Sequence, residues 1–167
     1  MSAAAVPPLL RDLLASEYAL VVLFGVFVLE GAMLMYFVPS ELVVPGALVL
    51  LGEDRAVAVI AVAVAGATVG QYALFVLAKR AGREYLLDRR WFRIDDDRLA
   101  RFEGWFERWG PLVVPLSNSL VFTRGMLTVP AGLAAMSDRR FVALSAAGTL
   151  VFESALAALY LVSGVRL

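Results

Sequence analysis

The chain has 167 residues, of which 61% are hydrophobic, and its 15 basic and 15 acidic residues give a net charge of zero. Soluble domains are about 45–50% apolar, so this composition predicts a single-domain, multi-pass membrane protein. The neutral charge excludes a basic surface for nucleic acid, and the lack of Cys and His excludes disulfides, thiolate chemistry and the commonest zinc ligands. We therefore expect neither metal nor cofactor, and any proton chemistry must depend on carboxylates.

Residues 1–17 are predicted to form a short amphipathic helix on the membrane surface and not a signal peptide. The first basic residue, Arg11, follows Pro7-Pro8, and no continuous apolar run precedes a small-residue cleavage site. Proline near the first turn suits the start of a helix that lies on the bilayer.

Three apolar segments are long enough to cross a bilayer, which takes about 20 helical residues. They are 18–37, 56–78 and 141–165. The first contains Glu30 and the third contains Glu153. The second has no charge, and Gly66 and Gly70 give it a face of small residues suited to close helix packing. We predict a transmembrane helix in each segment.

Two further apolar segments, 38–52 and 111–136, contain residues that commonly interrupt helices. These residues include Pro39, Pro45 and Gly46 in the first segment, and Pro130 and Gly132 in the second. Broken backbone at membrane depth is tolerated only where protein or a water-filled cavity satisfies its polar groups. Both segments are therefore predicted to be re-entrant helical hairpins, which leave the membrane on the side they entered. For 111–136 a kinked span is the alternative.

The two segments match each other at an offset of 85 residues. Val44–Leu48 parallels Val129–Leu133, and Glu53–Arg55 falls on Asp138–Arg140. Paired interrupted segments are typical of transporters built from inverted repeats with a site near the membrane midplane. We expect an all-α membrane domain with a first repeat in 18–78 and a second in 110–167, so that the hairpins face each other.

Residues 79–109 form a polar segment, rich in basic and aromatic side chains, between the repeats. Phe102, Trp105, Phe106 and Trp109 have helical spacing and predict one apolar stripe. Aromatic residues beside bases suit an amphipathic helix at the membrane interface. Because most of the basic residues lie here, the positive-inside rule predicts that this segment and the N-terminus are cytoplasmic, in the cell (plasma or inner) membrane.

Four charged residues fall at predicted membrane depth: Glu30, Glu41, Arg124 and Glu153. Each costs at least about 2.5–3.5 kcal/mol at the bilayer centre, so we expect them to compensate one another or to share an aqueous pocket. If the hairpins meet at their tips, Arg124 would lie between Glu30 and Glu41. Glu153 faces either the same cavity or a partner subunit.

The guanidinium of Arg124 suits a phosphate or a carboxylate, and Ser117, Asn118 and Ser119 would add donors for an anion. The three glutamates are candidate proton carriers because burial and like charge favour a bound proton. The alternative is a buried ion pair that only holds the hairpins together.

The motifs around these charges resemble the DedA family, whose members carry the VTT (SNARE-associated) domain. The first motif contains Glu30, Val38–Glu41 and Pro45–Ala47, and the second contains Trp109–Pro111, Arg124 and Val129–Met136, followed by Phe141 and Gly148. The resemblance covers nearly all of 18–164. It implies opposed re-entrant hairpins and lipid movement between leaflets: in bacterial and archaeal members recycling of polyprenyl-phosphate carriers, often with proton coupling, and in eukaryotic relatives phospholipid scrambling.

The chain departs from the family pattern in two places. The family usually has an arginine six residues before the position of Arg124, and often a proline between them, where this chain has Asn118 and Val121. A phosphate clamp with two arginines is therefore in doubt. The chain also stops soon after the third predicted span, so we expect a homo-oligomer to supply the missing cover.

The sequence thus favours a lipid translocase over an enzyme, since Ser117 and Ser119 have no evident base. Its expected partners are membrane lipids, above all one with a phosphate headgroup, and not nucleic acid. A proton-coupled transporter of small ions or solutes, and a membrane scaffold without transport activity, are the alternatives.

Overall fold

The structure, a computed structural model, describes residues 18–35, 40–88, 96–121 and 123–163, and within these ranges it contains helices and turns but no β-strand. The all-helical fold class predicted from composition is therefore confirmed for the described part of the chain. The predicted surface helix 1–17 and Pro39 lie outside the described residues.

Seven α-helices follow one another along the described ranges. They are α1 Ala19–Gly31, α2 Val43–Leu51, α3 Ala56–Asp88, α4 Asp96–Trp109, α5 Val113–Asn118, α6 Thr128–Leu133 and α7 Asp138–Ser163. Short 3₁₀ turns precede three of them, at Ser40–Leu42, Glu53–Arg55 and Gly110–Leu112. The backbone of α3 is interrupted at Gly82, whose φ of +77° is readily adopted only by glycine.

Two helical segments of the described chain are long and apolar enough to cross a membrane. They are Glu53–Gly82, with 30 residues, and Asp138–Ser163, with 26 residues. They match the second and third spans predicted from the sequence. The continuous helix predicted over 18–37 is not observed, because α1 has 13 residues and ends at Gly31, ahead of a turn in which Met33 has φ +59°. Thirteen helical residues rise only about 20 Å.

The prolines of the two hairpin segments lie inside helices, so the prediction that they break the backbone is wrong. Pro45 is the third residue of α2 and Pro130 the third residue of α6, and Gly46 and Gly132 follow within the same helices. Proline is tolerated in the first turn because the N–H groups there have no helical partner in any case. The chain turns instead at Gly52, with φ +96°, after α2.

The segment 111–136 folds as a helix, a turn and a second helix. Its helices α5 and α6 have six residues each, so neither approaches the length of a span. The turn between them contains Gly125, with φ +72°, and the segment ends at Ala135, with φ +51°. This shape departs from the kinked single span that was the alternative.

Each short helix packs against the long helix of the other half of the chain. Helix α2 contacts α7 and helix α6 contacts α3, while α3 and α7 also contact each other. Helix α2 begins at Val43 and α6 at Thr128, which keeps the offset of 85 residues seen in the sequence. The halves are therefore interleaved, and the turn before α6 lies close to both.

Glycines allow the helices to approach closely. A Cβ atom on Gly66 would lie 2.7 Å from the carbonyl oxygen of Phe24 on α1, and Gly70 and Gly31 lie against the backbone of the opposite helix in the same way. The packing face predicted from Gly66 and Gly70 is thus confirmed as the contact between α3 and α1. Gly148 performs the same role between α7 and α5, since a Cβ there would lie 2.5 Å from the carbonyl oxygen of Pro115.

The predicted amphipathic helix is observed as α4, but its aromatic stripe divides. Phe106 packs against the core cluster formed around the stacked rings of Phe75 and Phe141, whose centroids are 4.2 Å apart. Trp105 and Trp109 are exposed. Exposed tryptophans on a helix next to membrane-capable helices suit the polar–apolar interface of a bilayer.

Candidate functional site: a buried arginine between two glutamates

Arg124, in the turn between α5 and α6, is bonded to two carboxylates. Its Nε donates to Oε1 of Glu30 at 2.9 Å, and its Nη2 donates to Oε2 of Glu30 at 3.3 Å and to Oε1 of Glu153 at 2.6 Å. The two contacts with Glu30 form a bidentate pair, the geometry in which guanidinium and carboxylate bind most strongly.

Three separate parts of the fold supply these side chains. Glu30 lies at the end of α1, Arg124 in the hairpin turn and Glu153 in the middle of α7. Their side chains are 11%, 4% and 0% exposed, respectively. At such burial the attraction between the charges is only weakly screened, so each carboxylate compensates the cost of burying the guanidinium. The mutual compensation expected from the sequence is therefore observed for three of the four charges.

The guanidinium of Arg124 also lies over an aromatic ring. Its central carbon is 4.3 Å from the ring centroid of Phe152, the residue before Glu153. A guanidinium over an aromatic face gains a cation–π interaction that grows as the pair is desolvated. Phe152 and Glu153 therefore hold Arg124 from two directions.

Several polar atoms of this cluster have no hydrogen-bond partner among the described residues. They include Nη1 of Arg124, Oε2 of Glu153 and the hydroxyl oxygen of Thr149, all of which are buried. A buried polar group without a partner costs about 1–3 kcal/mol, so groups of this kind mark sites that bind a further polar species. The cluster thus presents both an N–H donor and a carboxylate acceptor for a ligand.

The sequence assigned the second carboxylate to the wrong residue. Glu41 was expected to flank Arg124, but the ion pairs of the described residues join Arg124 to Glu30 and Glu153, and none joins it to Glu41. Glu41 lies half-buried in the 3₁₀ turn before α2. Of the two placements considered for Glu153, inside the cavity or against a partner subunit, the structure shows the first.

Asn118 belongs to a second buried network, next to the charged cluster. Its side-chain nitrogen donates to Oε1 of Gln71 at 3.0 Å and to Oγ of Ser145 at 3.1 Å, and its oxygen accepts the backbone N–H of Gly125 at 3.1 Å. Ser145 also donates to Gln71. The bond to Gly125 fixes the residue that follows Arg124, so this network positions the turn that carries the arginine.

The two serines beside Asn118 also bond to the protein. Ser117 donates to the carbonyl of Thr123, and Thr123 donates back to the carbonyl of Ser117 at 3.2 Å. Ser119 donates to the carbonyl of Pro115 at 2.8 Å. These bonds close the turn before Arg124. Contacts of Ser117, Asn118 and Ser119 with an anion stay a prediction.

Four residues of the site were missed by the sequence analysis: Gln71, Ser145, Thr149 and Phe152. A polar Gln71 within an otherwise apolar span was a usable signal, because polar side chains in transmembrane helices are commonly bonded to other helices. The spacing of Ser145, Thr149 and Glu153 was another, since positions four apart share one face of a helix. Nothing in the local sequence singles out Phe152.

A separate cluster joins α3 to the start of α7 away from the buried arginine. The Nζ of Lys79 lies 2.7 Å from Oδ1 of Asp138 and donates to the carbonyl of Met136 at 3.0 Å, while the hydroxyl of Tyr72 donates to Asp138 at 2.8 Å. This cluster fixes the junction of α6 and α7. Among the described residues no group of His, Cys, Asp and Glu is arranged to hold a metal ion.

Comparison with known proteins bears on the same residues. The profile of the VTT domain matches residues 18–163, a range that contains the whole charged cluster. The chain belongs to the VTT domain family. The resemblance to the DedA family predicted from the motifs is thereby confirmed, and with the two membrane-capable helices it identifies a membrane protein.

Two curated relatives of this VTT domain protein are named undecaprenyl phosphate transporter A. The protein of Bacillus subtilis (strain 168) is 27% identical over 117 residues, which are 68% of this chain and 59% of that protein. The protein of Staphylococcus aureus (strain NCTC 8325 / PS 47) is 23% identical over 145 residues, which are 83% of this chain and 70% of that protein. Both names are those of transporters and not of enzymes. No solved structure matches the chain significantly.

Proposed function

We propose that this VTT domain protein moves a lipid with a phosphate headgroup between the two leaflets of the membrane. The phosphate binds at Arg124 while the apolar tail stays in the lipid. The names of the two relatives favour a polyprenyl phosphate as the lipid, and a phospholipid is the alternative.

The observation that carries this proposal is the buried guanidinium of Arg124. Its side chain is 4% exposed, yet Nη1 has no hydrogen-bond partner among the described residues. A guanidinium suits the oxygen atoms of a phosphate, and a buried site strengthens that attraction because little water screens it. An oxyanion can therefore bind at Nη1 while the two carboxylates keep Arg124 in place.

The charge of the cluster supports coupling to protons. With all groups ionised, Glu30, Arg124 and Glu153 carry a net charge of −1, and a bound phosphate would add further negative charge at a site remote from water. A proton on Glu30 or Glu153 offsets that charge, since buried like charges repel strongly. Proton uptake therefore accompanies phosphate binding. Glu41 stays a candidate for passing the proton to the cluster.

The arrangement of the helices supports an inverted repeat with two re-entrant hairpins. The starts of α2 and α6 keep the offset of 85 residues, and each of these helices packs on the long helix of the opposite half. We further infer that the N-terminus and the segment 79–109 face the cytoplasm and that the protein lies in the plasma or inner membrane, as the basic residues predict. A homo-oligomer in the membrane belongs to the same proposal.

Liposomes that contain the purified protein and a labelled polyprenyl phosphate test the function. Lipid that has crossed is measured as the fraction of label that a membrane-impermeant quencher no longer reaches. The unaltered protein should equilibrate the label between leaflets, and Arg124→Ala should reduce the rate to that of protein-free liposomes. Arg140→Ala removes an exposed arginine outside the cluster and should leave the rate unchanged. Lipid movement that persists in Arg124→Ala would show that the proposed site is wrong.

Two further measurements separate the alternatives. If the same liposomes take up small ions or solutes but do not move lipid, the chain is a solute transporter. If the folded protein does neither, the charged cluster is structural and the scaffold interpretation is correct. A pH gradient should change the initial rate of lipid movement in the unaltered protein and should have a smaller effect in Glu153→Gln.

A further inference from the structure

One face of helix α7 carries three polar residues at successive turns, Ser145, Thr149 and Glu153. All three are fully buried. Ser145 bonds to Gln71 and Asn118 at one end of this face, and Glu153 bonds to Arg124 at the other. Thr149 lies between them, one helical turn from Glu153, and its hydroxyl oxygen has no hydrogen-bond partner among the described residues.

The free hydroxyl of Thr149 is unusual for a helix. A buried threonine in a helix commonly donates to a backbone carbonyl of the preceding turn, which satisfies the hydroxyl inside its own helix. Thr149 makes no such bond, although the position is completely buried. Buried polar groups are nearly always paired, so an unpaired hydroxyl beside other unpaired polar atoms indicates a place where a ligand bonds.

The unpaired atoms around Thr149 are chemically complementary to a phosphate. Nη1 of Arg124 is a charged donor, and the hydroxyl of Thr149 is a neutral donor and acceptor. Oε2 of Glu153 accepts a hydrogen bond when ionised and donates one when protonated. A tetrahedral phosphate offers several oxygen atoms, so it can accept from Arg124 and from Thr149 at the same time.

We propose that Thr149 is a binding residue of the phosphate site and donates its hydroxyl to a phosphate oxygen held by Arg124. This inference rests on the function proposed above, and it assigns a group that neither the motifs nor the relatives single out. The shared ligand chemistry is a phosphate group, supplied either by a lipid phosphate monoester or by free inorganic phosphate. Thr149 also places the phosphate on the face of α7 that leads from the charged cluster to Asn118.

Two substitutions of Thr149 separate hydrogen bonding from packing. Thr149→Val keeps the shape of the side chain and removes the hydroxyl, whereas Thr149→Ser keeps the hydroxyl and removes a methyl group. If Thr149 binds phosphate, the valine variant binds more weakly than the serine variant. If Thr149 only fills space in the core, the serine variant is the more impaired of the two.

The experiment measures the affinity of the purified full chain in detergent for a polyprenyl phosphate and, separately, for inorganic phosphate. Loss of one hydrogen bond to a charged ligand should weaken binding about tenfold or more in Thr149→Val. Thr149→Ser should bind within about threefold of the unaltered chain. Thermal unfolding of each variant checks that it folds, and Thr149→Ala replaces the valine variant if that variant does not.

The outcomes distinguish this inference from the proposed function. If the unaltered chain binds neither ligand, both are overturned. If it binds, and Arg124→Ala abolishes binding while Thr149→Val does not, only the role of Thr149 is overturned. Equal weakening in the valine and serine variants also overturns it. Binding of inorganic phosphate alone, weakened in Thr149→Val, supports the role of Thr149 and assigns the site to a soluble anion in place of a lipid.

Discussion

Nη2 of Arg124 lies 2.6 Å from Oε1 of Glu153, and the two side chains are 4% and 0% exposed. This ion pair joins the hairpin turn before α6 to the middle of α7, and Glu30 attaches the same arginine to the end of α1. The cluster therefore connects three elements that are distant in the sequence. Its contribution to folding and its contribution to ligand binding can be separated by experiment.

The first prediction concerns the charge balance of the cluster. Replacing Arg124 by Met leaves two buried carboxylates without a counter-charge, so the free energy of unfolding should fall by about 3–5 kcal/mol. Combining Arg124→Met with Glu30→Gln and Glu153→Gln removes the unpaired charges and should recover most of that loss. Thermal unfolding in detergent, followed by circular dichroism, measures both variants.

The triple variant also provides the control for function. It should be nearly as stable as the unaltered chain yet inactive in lipid movement, because the guanidinium is absent. Equal stability of the single and triple variants would contradict the view that the carboxylates are paired through Arg124.

The second prediction concerns the turn that carries Arg124. Asn118→Ala removes the acceptor for the buried N–H of Gly125 and a donor to Gln71 and Ser145, so unfolding should become easier by about 1–3 kcal/mol. Lipid movement should slow as well, since the turn loses its fixed position. Leu120→Ala alters an exposed residue of the same turn and should change stability by less than about 0.5 kcal/mol. A stable and fully active Asn118→Ala would rule out a positioning role.

The third prediction concerns the close contact between α5 and α7. A Cβ on Gly148 would lie 2.5 Å from the carbonyl oxygen of Pro115 and 2.8 Å from the Cβ of Asn118. Gly148→Ala should therefore push the helices apart and lower the free energy of unfolding by about 1–3 kcal/mol.

Gly104→Ala is the matched control for Gly148→Ala. Gly104 lies inside α4, and a Cβ there has no atom within 4 Å. Because alanine favours helix more than glycine does, this variant should be unchanged or more stable by up to about 1 kcal/mol. Similar losses in both variants would show that glycine at 148 is not required by packing.

The fourth prediction concerns the orientation of the two halves in the membrane. The chain has no Cys, so single cysteines can be introduced without background labelling. Asp54→Cys and Arg140→Cys place a thiol at exposed positions near the starts of α3 and α7. In an inverted repeat these two positions face opposite sides. An impermeant thiol reagent applied to intact cells should label position 54 and not position 140, and labelling of both positions from one side would argue against inversion.

The sequence alone was sufficient for the class of protein, the family and the two long spans. These features depend on composition, on the length of apolar runs and on local motifs, all of which are properties of neighbouring residues. It also singled out Arg124, Glu30 and Glu153, because a charge in an apolar segment is costly wherever the segment finally lies. The offset between the halves survived in the starts of α2 and α6.

Only the tertiary structure decided which charges pair. Glu41 and Glu153 looked alike in the sequence, yet the packing of α5 on α7 brings Arg124 to Glu153, 29 positions away. The same packing converts Asn118 from an expected ligand donor into a residue bonded to Gln71 and Gly125, and it leaves Thr149 without a partner. Pairings between distant residues follow from how the helices pack, and apolar periodicity contains little information about that contact.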